Sequence, residues 1–202
     1  MSVRKAPVEG LTVRQRLTLF HGTALTAEEA LSHDEDGINF DMMLKNGVKA
    51  VNITAAGLRP LALKKHGVEE AVQLRRLGFD ALHLVDPVLC NEANAAYGAQ
   101  AVICAFLNSP QDAVALAGSE AVSTLNLTLQ QLLEACAGAP TEAQSVLQQC
   151  SDQNPLSGLS AKILLDTGLR APQLKQMGYN LLSIKELSCV GPQDLGKLGF
   201  TL

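Results

Sequence analysis

The chain has 202 residues, 47% apolar and 18% charged, which is typical of folded globular proteins. Aromatic residues make up only 3% and Trp is absent, so leucine, valine, isoleucine and alanine must form the core, and this favours helices over a strand-rich sandwich. The formal net charge of −4 argues against a nucleic-acid-binding surface, and no run of about 18 apolar residues predicts a membrane span.

Residues 1–36 are predicted to form an N-terminal helical cap. Gly10 and Gly22 occur in this segment without the regular spacing that follows. No apolar segment follows the positive charges at the start, so we expect an intracellular protein, cytoplasmic or cytoskeletal. The acidic run from His33 to Asp36 lacks the alternating oxygen ligands of a calcium loop, and we interpret it as a solvated helix end.

Over residues 37–90 a glycine recurs about every ten positions, and each is followed by an apolar residue. These glycines are Gly37, Gly47, Gly57, Gly67 and Gly78. Apolar residues also lie four positions before the last four glycines, at Met43, Ile53, Leu63 and Leu74, and six before three of them, at Val51, Leu61 and Val72. This order is typical of a two-turn helix that ends at a left-handed C-cap glycine. Because two turns are unstable alone, the helices of this first block must stack on one another, as in a solenoid.

The segment 91–157 keeps a weaker version of the rhythm, with Gly98, Gly118 and Gly138 spaced by twenty residues. Fewer glycines indicate fewer helix ends. We therefore predict longer helices here, at about 92–107, 110–117, 119–136 and 141–151, the second begun by Ser109-Pro110.

A second block of short helices is predicted over 158–202. Its glycines are Gly158, Gly168, Gly178 and Gly199. Apolar residues again lie four positions before three of them, at Leu164, Leu174 and Leu195, while Cys189 and Val190 hold the place of a missing glycine. The whole chain is thus predicted to be an all-α, solenoid-like array of short helices with glycine C-caps, with a longer-helix middle segment.

The units LALKKHGV, AVQLRRLGF, AKILLDTGL and QLKQMGY resemble the short leucine- and glycine-containing helical repeats found in tandem in many protist and some viral proteins. The resemblance covers residues 37–89 and 158–200. It implies a role in protein interaction or scaffolding, with no family active site to transfer.

Residues with catalytic or metal-binding chemistry are scattered. The five cysteines include no CxxC pair, and we interpret them as reduced, buried, small apolar side chains. The four histidines stand far apart, and no motif for phosphate binding, ester hydrolysis or metalloprotease chemistry occurs. We predict no catalytic residues, no metal site and no cofactor. An enzyme whose site is assembled from distant residues stays an alternative.

A group of basic residues in the first block is the candidate contact surface for a partner: Arg59, Lys64, Lys65, Arg75 and Arg76. The turn at Gly67 lies between two short basic helices, so nucleic-acid binding through helix-hairpin-helix-like turns is an alternative. The acidic net charge and the missing second glycine of the usual hairpin argue against it. We predict a non-catalytic interaction or scaffold subunit that binds other proteins in a larger complex.

Overall fold

The computed structural model describes residues 39–150, 156, 159–185, 187 and 191–200, together with Thr12 and Gln15. The described part of the chain is helical and contains no strand, so the prediction of an all-α fold is confirmed there. Its helices are α1 (Phe40–Lys45), α2 (Ala50–Ala55), α3 (Pro60–Lys65), α4 (Ala71–Arg76), the 3₁₀-helix η1 (Ala81–Val85), α5 (Pro87–Tyr97), α6 (Ala99–Phe106), α7 (Pro110–Leu116), α8 (Ala121–Thr124), α9 (Leu129–Ala135), α10 (Pro140–Gln149), α11 (Ala161–Thr167), α12 (Ala171–Gln176), α13 (Leu181–Lys185) and α14 (Pro192–Leu198).

Several short helices end in the same pair of backbone hydrogen bonds. After α1, the Gly47 N–H donates to the Leu44 carbonyl and the Val48 N–H to the Met43 carbonyl, both at 2.9 Å. Such bonds require a left-handed residue after the helix. Positive φ values, from +66° to +91°, occur at Gly47, Gly57, Gly67, Gly78, Gly168, Gly178 and Gly199. Gly37 and Gly158 lie outside the described residues.

Burial follows position within each helical unit. The apolar residues four positions before the glycines are at most 4% exposed: Met43, Ile53, Leu63, Leu74, Leu164, Leu174 and Leu195. Small residues begin six of the helices and are at most 3% exposed, namely Ala50, Ala71, Ala81, Ala121, Ala161 and Ala171. These units therefore share one buried large apolar residue, and several of them begin with a buried alanine.

Two of the predicted longer helices are interrupted. The helix expected over 92–107 is broken at Gly98, whose φ of +83° and ψ of 147° fall in a region that only glycine occupies readily. The Gly98 N–H closes α5 by donating to the Asn94 carbonyl, and its own carbonyl accepts from Val102 at the start of α6.

The helix expected over 119–136 is likewise divided into α8 and α9. Asn126 separates them, with a φ of +53°. Asparagine tolerates the left-handed region, so it ends α8 where a search for glycines finds no signal. Helices α7 and α10 match the other two predicted ranges to within two residues.

Helices pack mainly against elements about thirty residues further along the chain. These pairs are α3 with α5, α4 with α6, η1 with α7, α5 with α8, α7 with α10, α9 with α11 and α11 with α14. Hydrogen bonds have the same offset: the Asn94 side chain bonds the Thr124 carbonyl 30 residues away, and Tyr97 bonds Val68 across 29 residues. Thirty residues correspond to three of the ten-residue units, so every third unit is a spatial neighbour.

Candidate interaction surface

Two of the five predicted contact residues, Lys64 and Arg75, contact the C-terminal end of a helix that lies about thirty residues further along the chain. The Lys64 ammonium donates to the Ala96 carbonyl and lies 5.5 Å from the centroid of the Tyr97 ring. Arg75 makes the corresponding pair of contacts with Phe106, whose carbonyl is 3.5 Å and whose ring centroid is 5.9 Å away. Each cation therefore meets the negative end of a helix and the face of an aromatic ring together.

Arg75 also forms a two-pronged ion pair. Its Nη1 and Nη2 lie 3.2 Å and 3.0 Å from the two carboxylate oxygens of Asp112, whose side chain is only 10% exposed. The same carboxylate accepts the Asn108 N–H. Because Asp112 is nearly buried, its charge depends on Arg75 for compensation.

The other basic residues differ in how far they are engaged. The Arg76 guanidinium lies 5.0 Å from the centroid of the Phe40 ring. Arg59 bonds Glu92 at 3.2 Å, and its side chain is 52% exposed. Lys65 is exposed at the end of α3. The interpretation of these five residues as a partner surface stays a prediction, and Lys64, Arg75 and Arg76 have contacts within the chain that the sequence pattern did not indicate.

Exposed apolar side chains recur at the second residue of four successive helices. Val51, Leu61, Val72 and Leu82 begin α2, α3, α4 and η1 in this way, with exposed fractions of 69%, 45%, 48% and 68%. Helix positions that face solvent usually carry polar residues. Aliphatic side chains that are exposed at the same position of several helices are therefore typical of a surface that contacts another molecule.

One of these residues, Val72, lines an apolar groove of about 360 Å³ between α4 and α6, which we call the Val72 groove. Ala71 and Ala105 line it as buried residues, and Ala101 and Cys104 are exposed along α6. Its remaining lining residues are Lys64, Glu69, Glu70 and Tyr97. The groove joins two helices whose positions in the chain differ by thirty residues, which is why no local motif predicts it.

Tyr97 holds one end of this groove in place. Its hydroxyl donates either to the Val68 carbonyl at 3.0 Å or to the Pro60 carbonyl at 3.3 Å, and so ties the end of α5 to both flanks of α3. Burial raises the pKa of the phenol above its ordinary value. The hydroxyl thus remains a hydrogen-bond donor at neutral pH.

A second open depression, of about 580 Å³, lies between α8 and the end of α10. Gly118, Ser119, Ser123, Gln149 and Cys150 are among its lining residues. Burial raises the pKa of the Cys150 thiol, although a hydrogen bond from the Gly118 backbone acts in the opposite direction. Among the described residues, no charged side chain lines this depression.

Asp80 and Asp86 cap the starts of η1 and α5. His83 Nδ1 lies 2.7 Å from Asp80 Oδ1, and Asp80 accepts the His83 N–H, so the pair caps the start of η1. Burial opposes ionisation of Asp80, but the bonds from His83 outweigh it and lower the pKa of this carboxyl. Asp86 caps α5 instead, accepting the Val88 N–H at 2.8 Å.

Cysteines follow the sequence-based interpretation only in part. Cys90 and Cys136 are buried and free, and burial, followed by the nearby Glu142 charge, raises the pKa of Cys136 to about 11. Cys104 is free but exposed, which departs from the expectation of burial. Among the described residues, no group of three His, Cys, Asp or Glu side chains is placed to hold a metal ion.

Comparison with protein-family models, with curated proteins and with solved structures finds no match to this chain. Within the described ranges, no helix has both the length and the apolar character needed to cross a membrane.

Proposed function

We propose that this protein is a non-catalytic interaction or scaffold subunit, built as a solenoid in which about three glycine-capped helical units make one turn. The observation that carries the proposal is the constant offset of about thirty residues between packed elements, from α3 with α5 to α11 with α14. A chain folded in this way offers a long surface of repeated units and needs no enclosed pocket to act.

The repeated exposure of apolar residues supports binding as the function of the exposed side of these units. Val51, Leu61, Val72 and Leu82 occupy one position of the unit, while the anchor position of the same units is fully buried. Stability alone does not require aliphatic residues at the exposed position, since a polar residue there would cost the fold little. Contact with another protein would bury these side chains, which explains why they are apolar.

The nucleic-acid alternative is weakened by how the basic residues are used. Lys64 and Arg75 contact helix carbonyls and rings, and Arg75 is paired with Asp112. Phosphate binding would have to compete with these contacts. An enzymatic role has no arrangement of catalytic groups to support it among the described residues.

The proposal is tested by purifying the tagged protein from its native cells at moderate salt, with and without nuclease, and identifying what accompanies it by mass spectrometry. Each recovered protein is then mixed with the pure chain, and the complex is sized by light scattering. We expect a stoichiometric protein complex that survives nuclease and forms again from pure components. Recovery of nucleic acid alone, or failure of every candidate to form a complex, would contradict the proposal.

A further inference from the structure

We propose that the Val72 groove is a docking site for a protein segment that presents an aliphatic or aromatic anchor flanked by lysine or arginine. This inference rests on the proposed interaction function and specifies the chemistry of one partner segment.

The shape and lining of the groove suit an apolar anchor. Its volume of about 360 Å³ lies at the lower end of the range of ligand pockets, roughly 300 to 1,000 Å³. Val72, Ala101 and Ala105 give it an aliphatic lining, and Val72 is 48% exposed there. An apolar side chain placed between α4 and α6 would remove that exposed surface from water, which is favourable.

The charged residues that line the groove determine which residues of the partner segment are favourable beside the apolar anchor. Glu69 and Glu70 are exposed lining residues, and neither forms an ion pair with the described part of the chain. Lys64 also lines the groove, but its ammonium is directed to the Ala96 carbonyl and the Tyr97 ring.

Of the arginines on α4, Arg75 is held by Asp112 and Arg76 lies over the Phe40 ring. The lining itself carries the two carboxylates of Glu69 and Glu70 against the single ammonium of Lys64, so its net charge is negative. A segment with cations beside its anchor complements this charge, whereas an acidic segment is repelled.

The direct test uses three matched series of fluorescent peptides with a central leucine, isoleucine or phenylalanine. The anchor is flanked by lysine in the first series, by glutamine in the second and by glutamate in the third. Binding to the full chain is measured by fluorescence polarisation at low and moderate salt. We expect the lysine series to bind at least roughly tenfold more tightly than the glutamate series, which corresponds to about 1.4 kcal/mol.

Variants locate the binding. Ala101→Phe fills the groove from an exposed helix position, and Val72→Gln removes the apolar wall with a smaller change. Both are expected to abolish binding of the lysine series, while the double variant E69Q/E70Q reduces the preference for lysine over glutamate. Leu82→Gln is the matched control, because Leu82 occupies the same position in its unit but does not line the groove. Circular dichroism confirms that each variant is folded.

Cys104 supplies a second readout inside the groove. It is free and exposed, whereas Cys90 and Cys136 are buried. Labelling by N-ethylmaleimide, followed at the Cys104 peptide by mass spectrometry, is expected to slow when a lysine-series peptide is present and to be unaffected by the glutamate series.

Binding of no series, equal binding of the lysine and glutamate series, or unchanged binding in both Ala101→Phe and Val72→Gln would overturn the docking proposal. So would a dimer of the chain that these variants dissociate, since the occupant would then be a second copy. A complex recovered from cells that is unaffected by both variants overturns this inference alone and leaves the interaction function standing.

Discussion

Replacement of Gly67 by alanine tests both the left-handed helix ends and the packing of neighbouring turns. Gly67 has a φ of +77°, and a methyl group there would lie 3.3 Å from Asn39 Cβ and 3.6 Å from Asn39 Cα. Asn39 caps α1 by accepting the Met42 N–H at 3.0 Å. Gly47, with a φ of +66°, has no atom within 4 Å of the corresponding position and is the matched control.

Gly47→Ala and Gly67→Ala both place an alanine in the left-handed region, but only Gly67→Ala also brings a methyl group against Asn39. A left-handed alanine costs about 1 to 2 kcal/mol, and loss of chain entropy in the unfolded state returns about 0.4 to 1 kcal/mol. Gly47→Ala is therefore expected to lower the free energy of unfolding by about 1 kcal/mol. Gly67→Ala must also displace the Asn39 cap, at roughly 1 kcal/mol more, for a total of about 2 kcal/mol.

Urea unfolding followed by far-UV circular dichroism measures both losses. Gly47→Asn is a useful third variant, because asparagine tolerates this conformation, as Asn126 does at a φ of +53°, and it should lose less stability than Gly47→Ala. Equal losses for Gly47→Ala and Gly67→Ala would refute the placement of α1 against the Gly67 turn. Wild-type stability in both would refute the left-handed helix ends.

Three further substitutions test individual contacts by urea unfolding. Arg75→Met should lower the free energy of unfolding by about 2 kcal/mol, because it leaves the Asp112 carboxylate without its partner. Arg59→Met removes an exposed ion pair and should lower it by less than about 1 kcal/mol. Equal losses would contradict the buried pairing of Arg75 with Asp112. Tyr97→Phe should cost about 1 kcal/mol at neutral pH. Because the folded-state pKa of Tyr97 is raised, the wild type loses this advantage as pH rises above about 10, and a gap that stays constant would refute the assignment. Asp80→Asn should be destabilising above about pH 4, and the difference should vanish as pH falls further, because the pKa of Asp80 is lowered in the fold; a difference persisting in acid would contradict this.

The all-α class and the buried anchors could be predicted because they depend on local order in the sequence. An apolar residue four positions before a glycine, such as Leu63 before Gly67, belongs to one helix and its end, so its burial follows from one short window. The division of the middle segment was harder to predict. The sequence alone does not distinguish Gly98 from a glycine inside a continuous helix, because its φ and ψ angles are not visible there. Asn126 has the positive φ that a glycine usually adopts, so a search for glycines misses it.

The candidate site could not be predicted because it depends on the offset of about thirty residues between packed helices. The pairing of Lys64 with Tyr97 and of Arg75 with Phe106 requires knowing that every third unit is a neighbour. A search for aromatic residues about 32 positions after each basic residue would have found both pairs. The Val72 groove also forms only when α4 and α6 are placed side by side.

The predicted contact residues Arg75 and Arg76 also have partners within the chain that are distant in sequence. In the sequence, Arg75 and Arg76 stand in an exposed-looking pair on a short helix. In the fold, Arg75 faces Asp112, 37 residues away, and Arg76 faces Phe40. A short window of sequence shows these charges, but it does not show the distant residues that they contact.

We propose that the chain is a solenoid, in which each turn is stabilised mainly by the next. Ending the chain after residue 150 removes α11 to α14 and tests this directly, with circular dichroism and urea unfolding compared against the full chain. We expect the remaining helices to stay folded and to unfold cooperatively at a lower urea midpoint, because stability in a solenoid is a sum over neighbouring units. Loss of helical signal throughout residues 39–150 would show that the fold depends on one indivisible core and would contradict the claim.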